Sequence, residues 1–250
     1  MKHRILLTND DGVRAEGLRA CYDELAKIAD VTVVAPTEQR SGMSHSITLE
    51  RPLRAHKLKD LPGYMVDYTP VDCVKLALKS LLPERPHLVV SGINRGSNAG
   101  HLVHYSGTVA AAKEAVLNGV PAVATSLCGW KGLNFSYAAK VTREVCQQVL
   151  ETANLPERTI LNLNIPDRPE GEIKGLRVCR QSLRMFPDDY EHRTDPRGEP
   201  YWWLTGVFSF DGQAPDDDLN AIKEGYVALT PLNVDWTNAS ALDALRRLKI

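Results

Sequence analysis

Short apolar runs alternate with helix-like stretches along the first two thirds of the chain, and this alternation constrains the fold more than any other feature. Runs rich in β-branched and aliphatic residues predict strands at residues 4–8, 31–35, 87–91, 122–126 and 159–164. Apolar residues at helical spacing predict helices within 18–28, 74–81, 108–117 and 135–150. Strands that alternate with helices are typical of βαβ units, so we predict an α/β fold with a doubly wound, mostly parallel sheet.

The rest of the chain has a different character. The core looks complete near residue 166, where a proline ends the last of these strands. Residues 176–210 combine an Arg-rich first half, a turn and the aromatic run Tyr201-Trp202-Trp203, which predicts a β-hairpin arm that needs a partner surface. A further strand is predicted at 226–230. We divide the single domain of 1–250 into a core of about 1–170 and 224–235, an arm of about 176–210 and a C-terminal helix of about 238–250.

Charge and cysteine usage exclude several classes of protein. The 250 residues include 30 Lys and Arg against 31 Asp and Glu, so no overall basic field indicates binding to nucleic acid or to an anionic membrane. The five cysteines are widely spaced, without a C-x-x-C pair, and are predicted to be reduced, mostly buried thiols. Because no signal-peptide core and no apolar run of transmembrane length occurs, we expect a cytoplasmic protein.

Two adjacent carboxylates, Asp10 and Asp11, follow the first predicted strand directly. Two like charges about 4 Å apart repel by roughly 4 kcal/mol at an effective dielectric near 20. A fold that brings them together usually supplies a cation or a shared proton. The alternative is a helix N-cap followed by a turn glycine, Gly12. Ligands bind outside the carboxyl ends of strands in doubly wound sheets, and this position favours the cation.

Two further polar loops follow neighbouring strands. Ser41 and Gly42 lie in the loop after the second strand, and Asn94 and Asn98 lie in the glycine-rich segment 92–100 after the third. We expect all three loops to meet at one edge of the sheet. Carboxylate, hydroxyl and amide oxygens form a hard ligand set that suits Mg²⁺, Mn²⁺ or Ca²⁺ rather than zinc.

The same loops are suited to phosphate. A glycine-rich loop permits close backbone approach to an anion, and Ser106-Gly107-Thr108 opens a helix whose free N–H groups favour phosphate. An ordinary glycine-rich loop is the alternative. The residues expected to contact phosphate or substrate are Asn9, Gly42, Gly92, Asn98, Ser106, Gly107 and Thr108. The Walker loop, the G-x-G-x-x-G fingerprint and the G-x-S-x-G elbow are absent, so the usual nucleotide-cofactor and serine-hydrolase interpretations lose support.

Three histidines lie in these loops. His101 and His104 are three residues apart, a spacing that suits two metal ligands only in a helix. We therefore expect substrate contact or plain exposure for both. His45, four residues after Ser41, is the better candidate for a residue that lines the site.

The chain closely resembles the SurE family, the metal-dependent survival-protein nucleotidases, in motifs that occur in the same order along nearly the whole sequence. Residues 5–12 match the family's opening I-L-x-T-N-D-D-G, residues 33–47 match its second loop and residues 91–109 match its third. Matches in the C-terminal half are Arg180-Gln181-Ser182, residues 193–198, Gly225-Tyr226-Val227 and Thr230-Pro231-Leu232.

The resemblance implies a phosphatase that acts on nucleoside 5′- and 3′-monophosphates, with short polyphosphate as a further substrate of some members. It implies that Asp10, Asp11, Ser41 and Asn94 hold one divalent cation per subunit, Mg²⁺ or Mn²⁺, and that Asp10, Asp11 and Asn94 are catalytic. The implied fold is a Rossmann-like three-layer α/β/α core. Its hairpin arm and C-terminal element exchange between the subunits of a homodimer or tetramer.

Three positions depart from the family pattern. Leu102 stands where the family usually has an acidic residue, Tyr68 where it has glycine and Val71 where it has alanine. Attack by water is favoured over an aspartyl-phosphate route, because the D-x-D-x-[TV] pattern of that phosphatase class is absent. A second hypothesis, which Leu102 and Tyr68 support, is a non-catalytic nucleotide or metal sensor on the same fold. A nucleotide-sugar transferase is a third.

Overall fold

The fold is described by a computed structural model that covers residues 2–152, 155–206 and 208–248. Within these residues the strands are β1 (His3–Thr8), β2 (Ala29–Pro36), β3 (Ala55–Lys57), β4 (Gly63–Val66), β5 (Leu88–Arg95), β6 (Ala122–Cys128), β7 (Thr159–Pro166), β8 (Leu176–Val178), β9 (Asp188–Thr194), β10 (Pro200–Gly206) and β11 (Val227–Asn233). The α-helices are α1 (Glu16–Leu25), α2 (Pro70–Leu76), α3 (Gly107–Leu117), α4 (Ser136–Thr152), α5 (Asp218–Glu224) and α6 (Ala239–Leu245).

The main sheet has the strand order β3-β4-β2-β1-β5-β6-β7-β11-β8. The six central strands run parallel to one another in the order β4-β2-β1-β5-β6-β7. At the two flanks of this set, β3 is antiparallel to β4 and β11 is antiparallel to β7. The predicted α/β fold with a mostly parallel sheet is confirmed. All five predicted strands of the core are present, and the short strands β3, β4 and β8 lie outside the predicted set.

Helices cover both faces of the sheet and make three layers. Helices α1 and α4 share one apolar core with side chains such as Leu7 and Leu163, which point to one face. Helices α2 and α3 share the other core with Leu6 and Val89, since alternate residues of a strand point to opposite faces. Helix α5 packs over β7 and β11 in a third cluster. The carboxyl ends of the central strands are thereby left open to the loops.

Two helix starts are encoded by local sequence. Thr69 caps α2: its hydroxyl accepts a hydrogen bond from the Asp72 N–H at 3.1 Å, and the Asp72 carboxylate accepts one from the Thr69 N–H at 3.2 Å. Ser106 caps α3 through its hydroxyl, which accepts from the Val109 N–H at 3.1 Å. The second cap fixes the start of the helix that borders the site.

The arm is narrower than its predicted span of 176–210. The hairpin itself is formed by β9 and β10, which pair antiparallel over 188–206, and every residue of both strands is exposed. Residues 176–178 instead form β8, which pairs in parallel with β11 in the main sheet. The predicted strand at 226–230 is β11. The predicted C-terminal helix is present as α6, and residues 249–250 lie outside the described residues.

The five cysteines are free and buried, as predicted. Burial raises the pKa of the Cys128 thiol to about 12, so these thiols stay protonated at neutral pH. In the described part of the chain, no helix combines the length and the apolar character that crossing a membrane requires.

Candidate active site

Two hydrogen bonds donated by backbone N–H groups join the three polar loops at the carboxyl edge of the sheet. The Arg40 N–H donates to the Asp10 carbonyl at 2.7 Å, and the Arg95 N–H donates to Oδ2 of Asp11 at 3.0 Å. Each donor is adjacent in sequence to a predicted ligand, because Ser41 follows Arg40 and Asn94 precedes Arg95. The structure thus brings the segments of all four predicted ligands together.

Asp10 is a buried carboxylate, with 4 % of its surface exposed. The Thr108 hydroxyl donates a hydrogen bond to Oδ1 of Asp10. Burial raises the pKa of Asp10 to about 6, the Thr108 bond opposes this rise, and the charge of Asp11 adds to it. Burial also raises the pKa of Asp11. No ion pair within 4 Å of either carboxylate occurs among the described residues, and the charge of Arg95 only partly opposes the rise in the pKa of Asp11.

Gly107, the first residue of α3, lies directly against the Asp10 side chain. A Cβ atom added at Gly107 would stand 2.9 Å from Cβ of Asp10 and 3.0 Å from its Oδ2. Carbon and oxygen atoms do not approach so closely without a shift. The absence of a side chain at Gly107 therefore gives the Asp10 carboxylate its position beside the start of α3.

Asn94 lies within a strand, not in the loop predicted after residue 91. Strand β5 continues to Arg95, and its register with β6 shifts between Ser91 and Asn94, as in a β-bulge. Nδ2 of Asn94 donates to the Gly96 carbonyl at 2.8 Å, which leaves Oδ1 as the amide group available to a cation. The bulge thus sets the direction of the Asn94 side chain.

Gly92, predicted to contact phosphate, packs inside the sheet. A Cβ atom at Gly92 would stand 2.3 Å from the Thr125 carbonyl oxygen of the neighbouring strand. Its φ of +139° also lies in the region that favours glycine. Gly92 therefore makes room for the bulge that positions Asn94.

Asn9 and Asn98, two further predicted phosphate contacts, support the loops from inside. The Asn9 amide donates to the Gly12 carbonyl at 2.9 Å and accepts from the Gly12 N–H at 3.2 Å, so it closes its own turn. Nδ2 of Asn98 donates to the Ser126 hydroxyl at 2.9 Å, and its N–H donates to Oδ1 of Asn164 at 2.9 Å. Both asparagines are buried.

Ser41 and Gly42 lie in an exposed part of the second loop. The Ser41 hydroxyl accepts a hydrogen bond from Nε2 of Gln39 at 2.9 Å. Gly42 has a φ of +72° and open space around it, so it forms a left-handed turn next to Ser41.

The second loop is held in place by a buried carboxylate, Glu114, and its two hydrogen-bonded partners, which sequence patterns did not reveal. Glu114 of α3 is 4 % exposed, and its carboxylate accepts hydrogen bonds from Nε2 of His45 and from Nζ of Lys75, both at 3.0 Å. Burial works to raise the pKa of Glu114, but the bonds from His45, Lys75 and Asn118 outweigh it and hold the pKa below its usual value. Glu114 is thus an ionised anchor for the loop that carries Ser41.

The predicted alternatives for His101 and His104 have different outcomes. His101 is buried: its Nδ1 bonds to the Arg184 carbonyl at 2.9 Å, and its ring packs at 4.6 Å from that of Phe186. It is therefore a packed residue, neither exposed nor in contact with the loops of Asp10 and Asp11. His104 lies 3.5 Å from Nε2 of Gln181 and lines a cavity beside Ser106.

The residues at this edge of the sheet fit a hard cation. Asp10, Asp11, Ser41 and Asn94 offer only oxygen atoms to a metal. The hydroxyls of Thr8 and Ser91 are buried without a hydrogen-bond partner among the described residues, and the two residues pair in register, Thr8 at the end of β1 and Ser91 within β5. In the same residues, no group of three or more His, Cys, Asp or Glu could hold a metal, so the set depends on two carboxylates and neutral oxygens.

Comparison with known proteins identifies the family. Residues 5–188 match the family described as "Survival protein SurE". The chain belongs to the SurE family. The 5′-nucleotidase SurE of Chlorobium phaeobacteroides is 45 % identical over 249 residues, which covers 98 % of this chain and 96 % of the relative. That of Moorella thermoacetica is 47 % identical over 240 residues, which covers 94 % and 92 %.

A solved SurE structure has the same fold. The crystal structure of the SurE protein from Aquifex aeolicus has a TM-score of 0.87 and 38 % sequence identity, and the match covers 97 % of this chain and 98 % of that one. The three-layer core with a mostly parallel sheet is therefore shared along nearly the whole chain.

The three departures from the SurE pattern lie outside the contacts of Asp10 and Asp11. Leu102 is half-buried and packs against the apolar cluster under α5. Val71 is fully buried at the start of α2. Tyr68 has a φ of +82°, a conformation that favours the family's glycine, so this chain accepts a strained residue just before the Thr69 cap.

Proposed function

We propose that this SurE protein is a divalent-metal-dependent phosphomonoesterase that hydrolyses nucleoside 5′- and 3′-monophosphates to nucleoside and phosphate, with short-chain polyphosphate as a further substrate. The observation that carries the proposal is the adjacent pair of the buried Asp10 and the half-buried Asp11. The Arg40 N–H bonds to the Asp10 carbonyl and the Arg95 N–H to the Asp11 carboxylate, which brings the segments of two neutral oxygen ligands beside them. The curated relatives that cover nearly the whole chain bear the name 5′-nucleotidase, which supports the nucleotide substrate.

Asp10, Asp11, Ser41 and Asn94 would hold one Mg²⁺ or Mn²⁺ ion. When bound, the cation neutralises charge on the phosphate and makes a coordinated water more acidic. The chain's contribution is to aim the ligands: Thr108 orients Asp10, the Arg95 N–H orients Asp11 and the β5 bulge orients Asn94.

The start of α3 would bind the phosphate itself. Ser106 caps the helix, and the N–H groups of the first turn of this 11-residue helix carry partial positive charge toward the same edge of the sheet. Gly107 admits the Asp10 carboxylate to this end of the helix.

Metal removal tests the proposed function. In EDTA, release of phosphate from AMP should fall to background, and Mg²⁺ or Mn²⁺ should restore it, because the adjacent carboxylates of Asp10 and Asp11 need a counter-ion before they can act. Phosphate release is measured for 5′-AMP, 3′-AMP and short polyphosphate, with metal binding followed by calorimetry in parallel.

Three outcomes separate the hypotheses. Phosphate release that EDTA leaves unchanged contradicts the metal site. Binding of metal and AMP without release at any metal concentration favours the sensor hypothesis, which Leu102 and Tyr68 keep open. Release from 5′-AMP alone would limit the substrate range to the activity that the relatives' name describes.

The exposed arm supports a homodimer or tetramer built through the hairpin and the C-terminal element. An isolated two-stranded hairpin is marginally stable in water, yet β9 and β10 expose Trp202, Trp203 and Leu204, each by more than half of its surface. Replacing Trp202 and Trp203 with serine should lower the molar mass measured by light scattering to that of a smaller assembly. Leu117→Ser, at an exposed site on α3, should leave the mass unchanged, and an equal mass in all three proteins contradicts the arm's role.

A further inference from the structure

A cavity of about 180 Å³ lies along one flank of α3 and opens beside Ser106. The residues of α3 that line it are Ser106 at its cap, then Val109, Ala110 and Lys113. This spacing of three, four and seven residues marks one face of a helix, and at 1.5 Å per residue it extends over about 10 Å. The cavity therefore runs away from the end of α3 where Gly107 and Asp10 meet.

We propose that this cavity is the nucleobase subsite of the enzyme, a proposal that rests on the proposed nucleotidase function. In a nucleoside monophosphate the sugar separates the base from the phosphate. If the phosphate binds at the start of α3, the base must therefore lie to one side of that point. The cavity begins one residue from Gly107, which contacts Asp10. Its volume of about 180 Å³ is more than ten times the ~10–15 Å³ that a cavity needs to hold one water, which leaves room for a flat ring system.

The lining has the chemistry that a heteroaromatic base needs. Val109, Ala110, Ile160 and Leu232 supply apolar walls for ring faces, while His45 and Gln181 supply hydrogen-bonding groups for ring edges. By contrast, the cleft of about 410 Å³ that Asp11 helps to line has mostly charged and polar side chains, among them Arg14, Glu16, Glu38 and Arg95. The apolar faces of a base therefore fit the cavity along α3 better than this cleft.

The buried Glu114 defines the hydrogen bond that His45 can offer. Because a carboxylate only accepts, Nε2 of His45 carries the proton in its 3.0 Å bond to Glu114, and Nδ1 is the ring nitrogen left for a ligand. In the neutral imidazole this nitrogen is an acceptor, which suits an exocyclic amino group or a ring N–H of a base. Glu114 thereby acts as a positioning residue for His45.

Gln181 and Trp236 close other sides of the cavity. Nε2 of Gln181 donates to the Gly100 carbonyl at 3.0 Å, so Oε1 is the group that remains free to accept. Nζ of Lys113 lies 3.5 Å from the centre of the Trp236 ring, a cation–π contact that holds the indole at the rim. Burial lowers the pKa of Lys113, in agreement with its place inside the rim.

The test compares AMP with ribose 5-phosphate, which carries the same sugar and phosphate without the base. Ala110→Leu fills the cavity from its apolar wall. It should raise KM and Kd for AMP by at least about tenfold, the size of effect expected when a pocket loses room for part of its ligand, while the values for ribose 5-phosphate change much less. Ala110→Val is the milder variant if the larger side chain prevents folding, and should give the same change in smaller measure.

A second pair of variants removes a hydrogen-bonding group instead of space. Gln181→Ala should weaken the binding of AMP more than the binding of ribose 5-phosphate. The matched control is Gln148→Ala, at an exposed position on α4. Calorimetry gives Kd for both ligands even for a protein that releases no phosphate. If the wild type binds AMP but hydrolyses neither ligand, the proposed function alone is contradicted. If the variants weaken the binding of AMP and ribose 5-phosphate equally, or change the binding of neither, the proposal of a base subsite is overturned.

Discussion

Asp10→Asn and Asp11→Asn are each expected to weaken binding of Mg²⁺ or Mn²⁺ by more than about 100-fold, since even residues that only support a metal ligand cost 10- to 100-fold. Hydrolysis of AMP should fall at least in proportion. Asp10 is buried and receives the Thr108 hydroxyl, so asparagine keeps the shape and an acceptor oxygen but removes the charge. Calorimetric titration with metal and a phosphate-release assay measure the two losses on the same protein.

The pH dependence of stability shows whether Asp10 acts as the ionisable group that the structure describes. Burial raises its folded-state pKa from the ordinary 3.8 to about 6, so the folded state holds a proton that the unfolded state has lost in this range. The metal-free wild type should therefore lose up to about 3 kcal/mol of unfolding free energy as pH rises from about 4 to about 6. In metal-free Asp10→Asn this loss should be smaller by that amount.

The control for both carboxylates is Asp23→Asn, on the exposed side of α1, where Asp23 pairs with Arg19 at 3.1 Å. An exposed pair of this kind contributes little, so metal affinity, turnover and stability should stay close to the wild type. Turnover that survives in Asp10→Asn or Asp11→Asn together with unchanged metal affinity contradicts the assignment of these residues. A loss of turnover with full metal affinity would move them from metal ligands to another catalytic role.

Local sequence was sufficient to predict the parallel core and the edge of the sheet that carries the site. The strands are apolar because both faces are covered, and the polar residues that follow them, such as Asp10 and Ser41, are conspicuous for that reason. The Thr69 cap and the buried cysteines were predictable too, because they depend on residue type and near neighbours.

The features that sequence patterns missed depend on contacts between distant segments. The bulge at Gly92 depends on the close approach of the Thr125 carbonyl on a neighbouring strand. Asn94 was therefore predicted in a loop, whereas it lies in β5. Glu114 reads as a solvated residue beside Lys113, yet it is buried because His45 and Lys75 reach it from other elements. Strands β3, β4 and β8 are short, and pairing with longer neighbours defines them.

Gly107→Ala is expected to lower kcat/KM for AMP by about 100-fold, because a displacement near 1 Å in a catalytic group has effects of this size. The added Cβ would stand 2.9 Å from Cβ of Asp10, an atom close to the backbone that cannot simply swing aside. The Asp10 carboxylate must shift away from Thr108 or from the start of α3. Metal affinity should fall with activity, and calorimetry and steady-state kinetics measure both.

The direction of the stability change makes this substitution informative. Alanine favours a helix over glycine by about 1 kcal/mol, so a purely helical effect at Gly107 would stabilise α3, whereas overpacking against Asp10 should destabilise the fold by about 1–3 kcal/mol. Gly171→Ala is the matched control, because a Cβ at Gly171 meets no atom within 4 Å. A Gly107→Ala protein that keeps metal affinity and turnover would show that Asp10 tolerates displacement, and the tight packing at the start of α3 would then have no catalytic consequence.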